Sequence, residues 1–327
     1  MSEYLLQARE LTKDFPASGG KRVHAVSDVS LDIREGETLG LVGESGCGKS
    51  TLGRLLLRLI RPTSGEVLFR GQSITGMSEK AFHPLRRQMQ LVFQDPYASL
   101  DPRMSVRDLI AEPIENWRLC EGRAAVTQKV VELLHAVGLQ EEFLYRYPHQ
   151  FSGGQRQRIG IARAIAVDPA FIVCDEPVSA LDVSVQNQIL NLLKAIQREA
   201  SPLGKSSRRL TYLFISHDLS VVRYLSDRIC VMFLGRVCEI GPTEAVYSYP
   251  RHPYTRFLLD AVPLPDPSLR GKELRLLQGE PPSPTSPPSG CFFRTRCPHA
   301  RERCAREAPP LRDIGEAQVA CHFAEGL

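Results

Sequence analysis

Gly43-Glu44-Ser45-Gly46-Cys47-Gly48-Lys49-Ser50-Thr51 is the stretch on which the fold turns. It follows the apolar run Thr38-Leu39-Gly40-Leu41-Val42 and opens the helical pattern Leu52 to Leu59. A complete phosphate-binding loop therefore stands where a strand gives way to a helix. Glycines at 43, 46 and 48 let the backbone take turns that a β-carbon obstructs, so successive N–H groups point into one cavity. The new helix adds its positive N-terminal end, Lys49 can reach the β- and γ-phosphate oxygens, and the Ser50 hydroxyl is placed to ligate Mg²⁺. The expected ligand is a nucleoside triphosphate.

Outward from the loop, apolar and β-branched runs at Val29 to Ile33, Glu66 to Phe69, Gln90 to Phe93, Phe171 to Cys174, Tyr212 to Ile215 and Ile229 to Leu234 read as strands. Helical patterns lie at Ser50 to Leu59, Ala125 to Val137, Gly154 to Ala166 and Val185 to Arg198. This alternation predicts a layered α/β fold, with a helical insert at about 95–165. After Asp260 the pattern dissolves, and 279–290 has the composition of a stiff, Pro-rich linker. The chain accordingly divides into a domain over 1–250 and an extension over 251–327, with a four-cysteine module at 291–321.

With 327 residues, 43% hydrophobic and 24% charged, the composition is that of an ordinary folded protein rather than a disordered one. A net charge of +4 with scattered arginines does not point to nucleic acid. The first residues hold Glu3, Arg9 and Glu10 and no apolar core of signal-peptide length, and no stretch approaches the length of a membrane span. The expected location is the cytoplasm. Nine cysteines in a reducing compartment argue against a disulfide framework. Five of them (Cys47, Cys120, Cys174, Cys230, Cys238) are dispersed, whereas Cys291, Cys297, Cys304 and Cys321 cluster with five, six and sixteen residues between them. Such a set favours a metal ion or a metal cluster over pairing, and the gaps lack the two-residue knuckles that mark zinc.

Phe171-Ile172-Val173-Cys174-Asp175-Glu176-Pro177 has the form of a buried strand ending in two acids, at the sheet edge where α/β folds gather ligands. Asp175 would hold Mg²⁺, and Glu176, directed elsewhere by the two-residue period, would orient or deprotonate an attacking water. Taken alone, the pair is also an ordinary solvated strand end. Phe151-Ser152-Gly153-Gly154-Gln155-Arg156 supplies another hydroxyl, another flexible pair and another helix N-terminus. It reads as a second phosphate contact or as a simple helix cap.

Together the phosphate loop, Gln94, the Ser152 to Arg156 segment, Asp175-Glu176, Ser179-Ala180-Leu181-Asp182 and Ser216-His217-Asp218 resemble, in order and spacing, the nucleotide-binding subunit of an ABC transporter. The resemblance implies a P-loop NTPase fold with a RecA-like core, an antiparallel β subdomain and a helical insert. It implies head-to-tail pairing of two such domains, with Ser152, Gly153, Gly154 and Gln155 acting in trans on the partner's nucleotide and Asp182 knitting the interface. It implies that Gln94 completes the Mg²⁺ shell and senses a membrane partner, that His217 holds the γ-phosphate, Glu176 and water, and that Phe15 stacks on adenine. Gly43, Glu44, Ser45, Gly46, Cys47, Gly48, Lys49, Ser50 and Thr51 would cradle ATP.

Pro250-Arg251-His252-Pro253-Tyr254-Thr255, the Pro-rich linker and the four-cysteine tail extend the resemblance to ATP-binding subunits of dipeptide and oligopeptide importers. Phe93-Gln94-Asp95-Pro96-Tyr97-Ala98-Ser99-Leu100-Asp101-Pro102-Arg103 is similar to the second, "F" type of the two ATPases such importers carry. That kinship implies a [4Fe–4S] cluster on Cys291, Cys297, Cys304 and Cys321, structural or redox-sensing. It also implies a related ATPase as heterodimer partner, two membrane permease subunits, a substrate-binding protein and a peripheral position on the cytoplasmic face of the inner membrane. Alternatives within reach of the same residues are an importer of nickel or another small solute, and a soluble ABC ATPase acting on nucleic acid.

Overall fold

Uninterrupted apolar runs become strands buried along their whole length: every residue of Thr38–Val42, Phe171–Asp175 and Thr211–Ile215 is buried. That is the pattern of strands covered on both faces. The computed structural model describes residues 4–198, 209–262 and 281–326. Gly279 and Glu280 of the expected linker lie outside the described residues.

In chain order the strands are β1 (Tyr4–Pro16), β2 (Arg22–Arg34), β3 (Thr38–Val42), β4 (Ser64–Phe69), β5 (Gln72–Ser73), β6 (Met89–Val92), β7 (Phe171–Asp175), β8 (Thr211–Ile215), β9 (Arg228–Phe233), β10 (Arg236–Pro242), β11 (Arg312–Ile314) and β12 (Ala317–Val319). The helices are α1 (Lys49–Leu56), α2 (Glu79–Arg86), α3 (Val106–Asn116), α4 (Gly122–Ala136), α5 (Gly153–Ile165), α6 (Val183–Arg198), α7 (Leu219–Leu225), α8 (Thr243–Ser248), α9 (Pro253–Asp260) and α10 (Glu302–Arg306). They form two compact units. One comprises the described residues of Met1–Ile33, Leu39–Thr75 and Ser216–Leu327, the other those of Arg34–Thr38 and Gly76–Ile215.

The first unit holds an antiparallel sheet ordered β2-β1-β4-β5, with Leu6 opposite Phe69 and Ala8 opposite Val67. It also holds β3, beside which β9 runs parallel, Leu41 facing Cys230. From β9 the sheet continues antiparallel through β10 and β12 to β11, so the end of the chain is stitched to β10 with Glu239 opposite Val319. Ala317, Val319 and Ala324 make a small separate core there, with Ile314 and Cys321 packed against it. Glu239 is buried, yet its carboxylate accepts the backbone N–H groups of Arg251 and His252 at 2.9 Å each, which anchors the start of α9 on β10.

The second unit holds the parallel strands β6, β7 and β8, Val173 facing Leu91 on one side and Leu213 on the other. Around α3 pack α4 and α5. Leu109, Ile110 and Ile114 of α3, Val130, Leu133 and Leu134 of α4, and Ile159, Ile161 and Ile165 of α5 are all buried. Ser105 caps α3, its hydroxyl accepting the N–H of Asp108 at 3.2 Å. Among the described residues no helix is long and apolar enough to cross a membrane.

Candidate nucleotide site

The phosphate loop lies in the first unit, between β3 and α1. Gly43 has φ 152° and Gly48 φ 103°. A β-carbon at either would stand 2.1 Å from a backbone oxygen, that of Met232 for residue 43 and that of Ala25 for residue 48. Only glycine permits this path. Gly48, in a left-handed conformation, precedes α1 and gives it no side-chain cap. Lys49 is buried and its Nζ donates to the carbonyls of Gly43 at 2.7 Å and Glu44 at 2.9 Å, bending the ammonium over the loop. Ser45 and Gly46 are exposed at the loop tip, and Ser50 and Thr51 start the helix. Cys47 is buried beneath, where desolvation pushes its thiol up and keeps it neutral.

Two further expected residues belong to this unit. Phe15, near the end of β1, is half-buried with the Lys13 ammonium 5.0 Å from its ring centroid. The Ser216 N–H donates to the Leu41 carbonyl at 3.2 Å, which sets the Ser216-His217-Asp218 turn beside β3 with His217 exposed. Asp218 caps α7 by accepting the Ser220 N–H at 2.8 Å.

The second unit carries the acids. Asp175 closes β7 and is buried. Glu176 follows with φ 45°, a left-handed conformation rare for a residue with a long side chain, and its N–H donates to the Ile215 carbonyl at 3.0 Å. Gln94 Nε2 donates to Glu176 Oε2 at 3.0 Å. Ser152 caps α5: its Oγ accepts the Gln155 N–H at 3.3 Å while Gln155 Oε1 accepts the Ser152 N–H at 3.0 Å. A β-carbon at Gly154 would stand 2.3 Å from Val185 Cγ1, and one at Gly153 3.2 Å from Leu181 Cδ2. Asp182 caps α6, its Oδ1 accepting the Val185 N–H at 3.0 Å, and that hydrogen bond holds its carboxyl below the usual range.

The tail adds Arg296, which no local sequence signal announced. Arg296 Nη1 lies 3.0 and 3.1 Å from the two carboxylate oxygens of Glu44, and Tyr254 Oη accepts the Glu44 N–H at 2.9 Å. In the second unit, the Arg156 guanidinium sits 3.9 Å above the ring of the exposed Tyr97. Cys291, Cys297, Cys304 and Cys321 line one pocket of about 10 Å³ with Phe293, Phe323 and Pro309. All four are free thiols, and burial pushes Cys291 and Cys297 up to about 11. Among the described residues no group of three His, Cys, Asp or Glu is placed to hold a single metal ion. Four sulfurs lining one pocket are the type of donor set that an iron–sulfur cluster would take. The pocket has room for about one water.

Comparison with known proteins shows the family. The sequence pattern of the ABC transporter family matches residues 26–179, and that of the oligopeptide/dipeptide transporter C-terminal region matches residues 238–304. The chain is 54% identical over 321 residues to the putative oligopeptide transport ATP-binding protein YkfD of Bacillus subtilis, covering 98% of this chain and 95% of that one. It is 47% identical to the oligopeptide transport ATP-binding protein OppF of Escherichia coli, over 97% of this chain and 95% of that relative. It is also 47% identical to the di/tripeptide transport ATP-binding protein DppF of Pseudomonas aeruginosa, over 99% and 98%. Among solved structures, the dimeric post-hydrolysis ATP-binding cassette MJ0796 bound to ADP and Pi superposes with a TM-score of 0.64 at 30% identity, covering 73% of this chain and 98% of the cassette. A phosphate loop, an acid-ended buried strand, a capped Ser-Gly-Gly helix and an appended C-terminal region thus come together in one chain, which belongs to the ABC transporter ATPases, in the group of oligopeptide and dipeptide transport ATP-binding proteins.

Proposed function

We propose that the chain hydrolyses ATP to drive import of dipeptides or oligopeptides through a membrane complex. The observation that carries the catalytic part is Glu176, held in a left-handed turn by the Ile215 carbonyl and tied by Gln94 directly after the buried Asp175. The transport part rests on near full-length likeness to peptide-transport ATP-binding proteins.

Glu176 takes a proton from water as the water oxygen bonds to the γ-phosphorus. The bond from that phosphorus to the bridging oxygen breaks, and its electron pair leaves on ADP. Lys49 and the N–H groups of residues 43–51 hold the phosphates, with His217 steadying the γ-phosphate and Phe15 stacking on adenine. Ser50, Gln94 and Asp175 would hold Mg²⁺, which supplies charge neutralisation at the phosphate oxygens.

Ser152, Gly153, Gly154 and Gln155 act on the nucleotide of a second, related ATPase, with Asp182 at the same interface. In the isolated chain the Ser152 and Gln155 side chains cap α5, and Ser152 is exposed at that helix end. Of the two permease subunits in the complex, one docks near Gln94 and the helical insert, where Tyr97 is 57% exposed. A substrate-binding protein delivers the peptide to that complex, at the inner membrane, with this chain on its cytoplasmic face. Cys291, Cys297, Cys304 and Cys321 would hold a [4Fe–4S] cluster, which supplies a covalent staple among four points of the tail. No nucleic acid is involved.

Co-expression with candidate permease subunits tests the reading. Purified complex in vesicles should hydrolyse ATP faster when peptide-loaded binding protein is added, and mass spectrometry should find peptide bound. Stimulation by nickel or another small solute instead would redirect the substrate, and copurification with RNA in place of permeases would overturn the function.

A further inference from the structure

Glu44 is the one acid in the loop from Gly43 to Thr51, and it sits where a polyanion is to be bound. A carboxylate there opposes the incoming phosphates unless something cancels it. We propose that Arg296, in the tail, is a positioning residue of the phosphate loop: it neutralises Glu44 and holds it away from the nucleotide.

One nitrogen of the guanidinium reaches both Glu44 oxygens, at 3.0 and 3.1 Å. The two side chains are 7% and 28% exposed, so salt and water screen the pair far less than a surface bridge. Arg296 Nε is buried without an acceptor, which makes Glu44 the principal compensation for taking this charge out of water. The grip is double. The Arg296 N–H donates to the Phe293 carbonyl at 3.0 Å, closing a turn whose other end, the Phe293 ring, lies 5.4 Å from that of Tyr254. Tyr254 is itself packed at 4.8 Å on Phe233, and its hydroxyl takes the Glu44 N–H. A single turn of the tail therefore restrains the carboxylate of Glu44 directly and its backbone through Tyr254. Cys291 and Cys297 bracket that turn, which places the thiol pocket next to the restraint.

The test is a double-mutant cycle on the full chain, read as the Kd of a fluorescent ATP analogue with Mg²⁺. R296Q should weaken binding about tenfold in the wild-type background and less than about twofold in the E44Q background, because the acid it uncovers is then gone. R296K, which keeps the charge, should recover most of the loss. The R296Q penalty should also shrink in high salt. An equal R296Q penalty in both backgrounds would overturn the proposal, as would an unchanged Kd in R296Q. Thermal unfolding of each variant is measured alongside, and if R296Q fails to fold, comparison of R296K with R296M carries the same decision.

Discussion

Gln94 donates from Nε2 to the carboxylate of Glu176 at 3.0 Å, which joins the segment after β6 to the turn after β7. The amide holds one oxygen of Glu176 in place. A carboxylate so fixed is oriented before any water arrives, and orientation is a large part of what a general base contributes.

Replacing Glu176 by Gln keeps the side chain's shape and removes its basicity. Phosphate release should fall by about 10²-fold or more while ATP stays bound. Gel filtration with the partner ATPase should then show an ATP-dependent complex that does not come apart. Undiminished turnover would remove Glu176 from the reaction.

Gly154 meets Val185 so closely that a β-carbon would come within 2.3 Å of Val185 Cγ1. G154A should destabilise the chain by about 1–3 kcal/mol in urea unfolding. V185A should restore much of that loss when combined with G154A, because it vacates the space the new methyl needs. Failure of the double variant to recover would mean that the cost lies in the helix start rather than in the contact.

At Gly48 no such rescue exists, since the obstacle is the Ala25 carbonyl oxygen at 2.1 Å and φ is 103°. G48A should weaken nucleotide binding by at least about tenfold and cost about 1–3 kcal/mol of stability. Isothermal titration and thermal melts of the same sample measure both.

Anaerobically purified chain should contain iron and acid-labile sulfide in equal amounts, and C297S should lose both. Zinc found in place of iron, with no sulfide, would replace the cluster by a single-ion site.

Much of the architecture was legible in local pattern. The runs at Phe171 to Cys174 and Tyr212 to Ile215 became strands within a residue of their expected ends, because a continuous apolar stretch has only one comfortable place in a layered fold. The strand β1 was not, since Arg9, Glu10, Lys13 and Asp14 break its alternation while its register is set by β4. Helix α3 is obscured by Pro113, and β11 and β12 are three residues each, too short for a period to show. Of the candidate site, the phosphate loop and the acid-ended strand could be read from the residues themselves, while Gln94, Asp182 and His217 were singled out only by the family resemblance. The left-handed turn at Glu176 and the capping of α5 by Ser152 and Gln155 needed coordinates. Arg296 and Glu44 are separated by 252 positions, and nothing near either one names the other.

The antiparallel partner that β12 offers to β10 has a consequence for any shortened form of this protein. A chain cut before Arg312 would bare a ladder of unsatisfied amides along β10, the sort of sticky border that recruits a neighbour's strand. The terminal hairpin thus doubles as a guard against clumping, and trimming it for the sake of tidier preparations would invite precipitation.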